Sequence, residues 1–290
     1  MTRGLRKQYG AHAALDGVDM EVTHGSVYGL VGPNGSGKTT LLSILAGLRR
    51  PTEGECSINV PRERVVLAPD TPQFEPWLTA REVVALAYSL VLGTPPPERV
   101  EQTLDEAGLT DALDRRVGGF SRGMLQRLGL AAALVADPEL LLLDEPAAAL
   151  DPMGRREVLD LIARERGSRT VVFSSHILSD VQEVCDTVGI LRNGRLLYQG
   201  PLAQLLTGSA APHYLVRLRD RPDQVAQVLR DVPWVRSVDI SRGGAIRVAV
   251  SRLEDAECGL PAALARANAR VVSFRPGEAS LEEVFLEITT

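Results

Sequence analysis

Apolar runs of three to five residues punctuate the first two thirds of the chain, separated by stretches of helical periodicity. Residues Val27–Val31, Leu140–Leu143 and 171–173 are nearly all apolar and bounded by Gly or polar residues. Strands covered on both faces carry that pattern. Their alternation with helices predicts an α/β sheet of mainly parallel strands. Asn193-Gly194, between the runs 188–191 and 195–198, is a hairpin signal.

The pattern changes near 207–212, where Thr-Gly-Ser-Ala-Ala-Pro reads as a linker. Beyond it come a strand over 214–218, a helix over 222–229 and a strand over Val235–Ile240. Gly243-Gly244 turns into a strand over 246–250, followed by a helix near 256–267 and a strand over 270–274. The order βαββαβ suits a small ferredoxin-like α+β unit. A last helix is predicted from Ser280, in a capping box with Glu283, with Leu281, Val284, Phe285 and Ile288 in one stripe. The expected division is therefore 1–207 and 213–290.

The chain has 290 residues, 44% of them hydrophobic, enough for one large core and a smaller one. A net charge of −5 argues against a nucleic-acid-binding face built on bulk charge. Arg3, Arg6 and Lys7 read as solvated surface. The longest apolar runs, 83–92 and 128–136, fall short of the ~20 residues a spanning helix needs. No secretion signal is visible at the N-terminus, so service to a membrane would require docking to another chain. Cys56, Cys185 and Cys258 have no C-x-x-C spacing, which predicts buried or half-buried free thiols.

Gly32-Pro33-Asn34-Gly35-Ser36-Gly37-Lys38-Thr39 fits G-x-x-x-x-G-K-[ST] between a predicted strand and a predicted helix. The glycines let backbone N–H groups curl around phosphate oxygens. Lys38 adds a point charge for the outer phosphates of ATP, and the Thr39 hydroxyl can hold Mg²⁺. The helix over 39–46, with Thr40 in its first turn, aims its positive end at the anion. A Gly-rich turn with a chance lysine is the plainer alternative, and the strand–loop–helix context decides against it.

Asp144 and Glu145 end the apolar strand Leu140–Leu143, where an open α/β sheet meets its ligand. Asp144 would face Mg²⁺, and Glu145 could orient or deprotonate the attacking water. Alone, this pair would read as a solvated turn; beside the phosphate loop it reads as catalytic. His176, after Ser174-Ser175, could reach the γ-phosphate or serve as a structural histidine.

In this order, and with Phe120-Ser121-Arg122-Gly123-Met124-Leu125-Gln126, these pieces resemble the ATPase subunit of ABC transporters over residues 4–200. The last segment resembles the family's Leu-Ser-Gly-Gly-Gln signature. By the residues alone, Ser121 is a helix cap. The resemblance implies more: Ser121, Arg122, Gly123 and Met124 would act in trans, in a head-to-tail dimer holding two ATP molecules. It also implies that Tyr9 stacks on adenine, that Leu150-Asp151 is the D-loop crossing the dimer, and that His176 is the switch histidine. A helical subdomain would span about 71–136, with Phe74, Trp77 and Leu78 free to meet a permease helix or to form local core. The C-terminal region resembles an extension on ATPases of drug-resistance-type exporters, where the 280–285 run recurs.

The function implied is ATP hydrolysis powering transport by a separately encoded membrane permease; the C-terminal resemblance favours export, and import is the alternative, since the residues themselves carry no direction. The ATPase would sit on the cytoplasmic face of the plasma membrane, as a homodimer or paired with a related ATPase, with no nucleic-acid partner. Three departures matter. Asp70 stands where the family often has a Mg²⁺-linked Gln; Arg122 and Met124 replace Gly and Gln; and the first strand begins with almost no lead-in, implying a late start or a short edge strand. A soluble ABC ATPase acting on ribosomes or DNA would carry two cassettes or a long coiled coil, and neither is present. A P-loop kinase or GTPase would lack Ser121-Arg122-Gly123 and the spaced His176.

Overall fold

The computed structural model describes residues 1–148, 150–209, 212–240, 244–277 and 281–289. It divides into two compact units, Met1–Ala203 and Gln204–Ile288. The first opens with β1 (Thr2–Tyr9), β2 (His12–Met20), β3 (Val27–Val31), α1 (Lys38–Leu45), β4 (Glu53–Cys56) and β5 (Val65–Ala68). Three helices follow, α2 (Ala80–Leu92), α3 (Pro97–Glu106) and α4 (Arg122–Leu134). The chain then alternates through β6 (Leu140–Leu143), α5 (Pro152–Arg164), β7 (Thr170–Ser175), α6 (Leu178–Val184), β8 (Thr187–Arg192) and β9 (Arg195–Pro201). Helix α7 (Leu202–Ser209) carries it into the second unit. Residues 207–209 thus close a helix instead of opening the expected linker, and 210 and 211 lie outside the described residues.

Six strands form one sheet in the order β5-β6-β7-β3-β8-β9, parallel except for β9. β3 and β7 are buried at every residue, as the apolar runs 27–31 and 171–173 require; the polar ends of β7, Thr170, Ser174 and Ser175, are buried with them. Asn193 and Gly194 both take positive φ between β8 and β9, the conformation a tight hairpin needs. β1 lies between β2 and β4 in a separate antiparallel sheet. At eight residues, with a partner on each side, it is neither short nor an edge. The short-edge-strand reading failed because the outer partner, Glu53-Gly54-Glu55-Cys56, carries no alternating or β-branched signal. Leu5, Leu15, Val18 and Met20 of this sheet pack with Tyr28, Leu30, Leu41 and Leu142 in one core.

Helices α2 to α4 share a second core around Val84, Leu104, Leu128 and Ala131. A reciprocal cap starts α2: the Glu82 N–H donates to Thr79 Oγ1 at 3.2 Å, and the Thr79 N–H donates to Glu82 Oε2 at 2.8 Å. Phe74 and Leu78 pack against this core, whereas Trp77 is 63% exposed. Among the described residues no helix is long and apolar enough to cross a membrane.

The second unit contains β10 (His213–Leu218), α8 (Pro222–Arg230), β11 (Val235–Ile240), β12 (Ala245–Val250), α9 (Leu253–Arg266), β13 (Val271–Gly277) and α10 (Leu281–Thr289). Its strands run antiparallel in the order β11-β12-β10-β13. Val216, Val248, Val225, Leu229 and Leu260 form its core. Gly243 and Ser280 lie outside the described residues, and with them the Gly243-Gly244 turn and the Ser280 capping box.

Cys185 is buried, Cys56 half-buried and Cys258 exposed. Cys258 departs from the sequence expectation because α9 turns Ala256, Leu260 and Ala263 to the core and leaves position 258 off that stripe. Burial pushes the Cys185 thiol well up, and the Cys56 thiol up as well. Maleimide labelling at neutral pH, read by peptide mass spectrometry, is expected to mark Cys258 first and Cys185 only after denaturation. Equal native rates at Cys185 and Cys258 would contradict this packing.

Candidate active site

The adjacent strands β6, β7 and β3 bring their carboxyl ends to one cleft of about 540 Å³. Its walls include Tyr9, His12, Ala14, Asn34, Gly35, Ser36, Gly37, Lys38, Thr39, Thr40, Asp70, Asp144 and Glu145. The loop after β3 can turn this tightly only with glycine at two places. Gly37, at φ +110°, caps α1, and a Cβ there would sit 2.4 Å from the Ala14 carbonyl oxygen. A Cβ on Gly32 would sit 2.1 Å from the Leu191 carbonyl oxygen. Gly32 therefore serves the loop by close packing, and its carbonyl accepts a 2.8 Å hydrogen bond from Lys38 Nζ.

Glu145 stands between two partners. Its Oε1 lies 3.1 Å from Lys38 Nζ, an ion pair without hydrogen-bond alignment, with side chains 14% and 6% exposed. Its Oε2 accepts from His176 Nδ1 at 2.8 Å and from the His176 N–H at 3.3 Å. The carboxylate requires the proton on Nδ1, which assigns the tautomer. Glu145 also holds φ +47°, a left-handed conformation that is costly for a residue with a side chain. Ser174 supports this turn. Its hydroxyl donates to Asp144 Oδ1 at 2.6 Å and accepts the Glu145 N–H at 2.8 Å. Sequence reasoning noticed Ser174-Ser175 only as the approach to His176; the signal was a polar residue ending the strand beside the acidic one.

A second cleft, of about 350 Å³, is lined by Ser121, Arg122, Gly123, Arg127, Leu150, Asp151, Met153, Gly154 and Glu157. Ser121 N-caps α4, its Oγ accepting the Met124 N–H at 3.3 Å. Asp151 occupies the N-cap position of α5 without a side-chain capping bond. The structure thus gathers the expected residues into two groups: the phosphate loop, Tyr9, Asp70 and the acidic pair with His176 in one, and Ser121, Arg122 and Gly123 with Asp151 in the other. Met124 is the exception: its N–H caps onto Ser121, but its side chain packs against the core of α2 to α4 instead of lining the cleft.

The first cleft suits a nucleotide with a divalent cation. Ser36 Oγ is buried without a hydrogen-bond partner, as an atom reserved for a ligand would be. Thr39, Asp70 and Asp144 offer a hydroxyl and two carboxylates, hard oxygen donors. No group of three or more Asp, Glu, His or Cys placed to hold a metal occurs among the described residues. Mg²⁺ keeps water and substrate phosphates among its ligands, so a few protein oxygens such as these could complete its shell. Tyr9 is 39% exposed, with Lys7 Nζ 5.1 Å from its ring centroid and Arg49 donating to its hydroxyl at 2.8 Å.

A phosphate loop feeding a helix, with an acid pair at the end of β6, one strand removed in the same sheet, defines a P-loop nucleotide hydrolase. Residues 15–148 match the family model described as ABC transporter. The chain is 35% identical to an uncharacterized ABC transporter ATP-binding protein, YxlF of Bacillus subtilis (strain 168), covering 98% of this chain and 97% of that protein. It is 32% identical to the daunorubicin/doxorubicin resistance ATP-binding protein DrrA of Streptomyces peucetius, over 99% and 91% of the two chains. A solved ATP-binding subunit of an ABC transporter superposes with a TM-score of 0.64 at 29% identity, over 71% of this chain and 91% of that one. The chain belongs to the ABC transporter family, as an ATP-binding subunit that hydrolyses ATP.

Proposed function

We propose that this ATPase drives export through a separately encoded membrane permease, as a dimer of two identical copies on the cytoplasmic face of the plasma membrane. The observation that carries the reading is that one copy holds two clefts with no lining residue in common. Lys38, Asp144 and Glu145 lie in one, Ser121, Gly123 and Asp151 in the other. Head-to-tail pairing under a two-fold axis lets each second cleft complete the partner's first, with ATP between them. The resemblance to a drug-resistance ATPase supports export. Exposed Trp77, with Leu86 and Leu90 of α2, offers an apolar surface for the permease.

Within the site, Lys38 and the loop N–H groups hold the phosphate chain, and Tyr9 offers its ring to the base. Glu145 orients and deprotonates the attacking water, while His176 fixes the Glu145 carboxylate and senses the γ-phosphate. Thr39, Asp144 and Asp70 would hold Mg²⁺, which when bound neutralises charge on the transferring phosphoryl group. Ser121, Arg122, Gly123 and Met124 supply the α4 N-terminus to the partner's nucleotide.

Light scattering on Glu145→Gln protein, with and without Mg-ATP, tests the reading. A monomer that becomes a dimer only with Mg-ATP is expected. A monomer under both conditions, with ATP bound, would overturn the self-sufficient homodimer.

A further inference from the structure

Asp180 is one of the few buried charged residues of the first unit, and nothing in the hydrolytic chemistry accounts for it. It lies in the first turn of α6, four residues beyond His176, with its side chain 5% exposed. A carboxylate so placed needs a fixed partner. Arg155 of α5 provides it: Nε donates to Asp180 Oδ1 at 2.6 Å, and Nη2 donates to the same oxygen. Nη2 also reaches Ser179 Oγ at 3.5 Å. A second pair, Arg156 Nη1 to Glu183 Oε1 at 2.6 Å, joins the same two helices.

Both ends of the Arg155–Asp180 pair are tied to functional segments. The Arg155 N–H donates to the Asp151 carbonyl at 2.9 Å, so the arginine shares its helical turn with the residue lining the second cleft. The Asp180 N–H donates to the Ile177 carbonyl, and the Ile177 N–H donates to Ser175 Oγ at 2.9 Å, bracketing His176 between β7 and α6. His176 Nδ1 is in turn 2.8 Å from Glu145.

We propose that the Arg155–Asp180 pair is a strut through which a second subunit, seated on the Ser121–Asp151 cleft, sets His176 against Glu145. This rests on the reading of that cleft as the surface facing the second subunit. Arg155 and Asp180 are positioning residues: neither lines the nucleotide cleft, and they act through the placement of the histidine. The guanidinium fork fixes direction as well as charge, which a lysine ammonium does not. A partner pressing on Asp151 moves the first turn of α5. The strut passes that displacement to α6 and not to the phosphate loop, so turnover responds while ATP binding does not.

Arg155→Lys keeps the charge and loses the fork, and Asp180→Asn keeps an oxygen acceptor and the shape. In each, kcat is expected to fall about tenfold or more, since small misplacements of a catalytic group are costly. The KM for ATP, the melting temperature and the ATP-driven dimer seen by light scattering are expected to stay near wild type. Pairing Arg155→Lys with Asp180→Glu, which restores reach, is expected to recover at least threefold of the lost kcat. Folded, dimerising variants with wild-type kcat overturn the strut alone. So does a kcat that falls only in step with dimer fraction or melting temperature, which is what a merely structural pair would give. A wild-type protein whose rate is independent of dimer formation overturns both the cleft reading and the strut.

Discussion

Replacing Glu145 by Gln is expected to lower the ATP turnover rate about a thousandfold, within the range for loss of a positioned general base. The substitution is nearly isosteric, so the amide can still accept from His176 Nδ1 at the position where the carboxylate does so at 2.8 Å. It also removes the negative charge 3.1 Å from Lys38 Nζ. Phosphate and Glu145 compete for that ammonium, so the variant is expected to bind ATP at least as tightly as the wild type. Phosphate release under saturating Mg-ATP and a nucleotide-binding titration read the two effects separately. A rate within threefold of wild type would remove Glu145 from the chemistry. A parallel collapse of binding would mean that Glu145 holds the loop together instead of acting on water.

The parts of this site legible in the sequence were those in which spacing alone dictates geometry. Gly32 to Thr39 could be placed because the glycine positions, the lysine and the flanking strand and helix constrain one another. Asp144 and Glu145 could be placed because a run of four leucines ends at them. Ser174 was hidden. A serine after an apolar strand has many uses, and its bond to Asp144 Oδ1 exists only because β7 runs parallel to β6 in register. The same holds for Arg155 and Asp180, 25 positions apart, where neither helix pattern announces the other. β4 left no apolar trace, so the middle position of β1 was lost with it. Trp77 and Phe74 looked equivalent because the segment before α2 has no period from which to assign a face.

The geometry of Glu145 also bears on how hydrolysis is controlled. Glu145 is strained in φ, buried on Oε1 and paired to the residue that must hold phosphate. Lys38 Nζ lies within reach of both the Glu145 carboxylate and the phosphate-loop carbonyls, so exchange of its partner from carboxylate to phosphate would free an oxygen of Glu145 for water. Strain at such a position persists only where the surroundings over-determine it. Here the Ser174 hydroxyl, the His176 ring and the Lys38 ammonium do so from three sides.

Lys38→Met separates the two duties of the lysine. Among the described residues lining its cleft, Lys38 is the one lysine or arginine, against Asp70, Asp144 and Glu145. Without it the walls keep three carboxylates and, among the described lining residues, no lysine or arginine. ATP affinity is expected to fall about 100-fold, or about 2.7 kcal/mol. The fold is expected to suffer as well, because Glu145 Oε1 is buried and loses the Lys38 ammonium beside it, at a cost of about 3 kcal/mol. Combining Lys38→Met with Glu145→Gln removes both charges, so most of that stability should return while ATP affinity stays low. Denaturant melts and nucleotide titrations on the four proteins of the cycle measure the two quantities independently. If the double variant recovers binding along with stability, the lysine acts only by neutralising Glu145, and the phosphate chain is held by the backbone N–H groups of the loop.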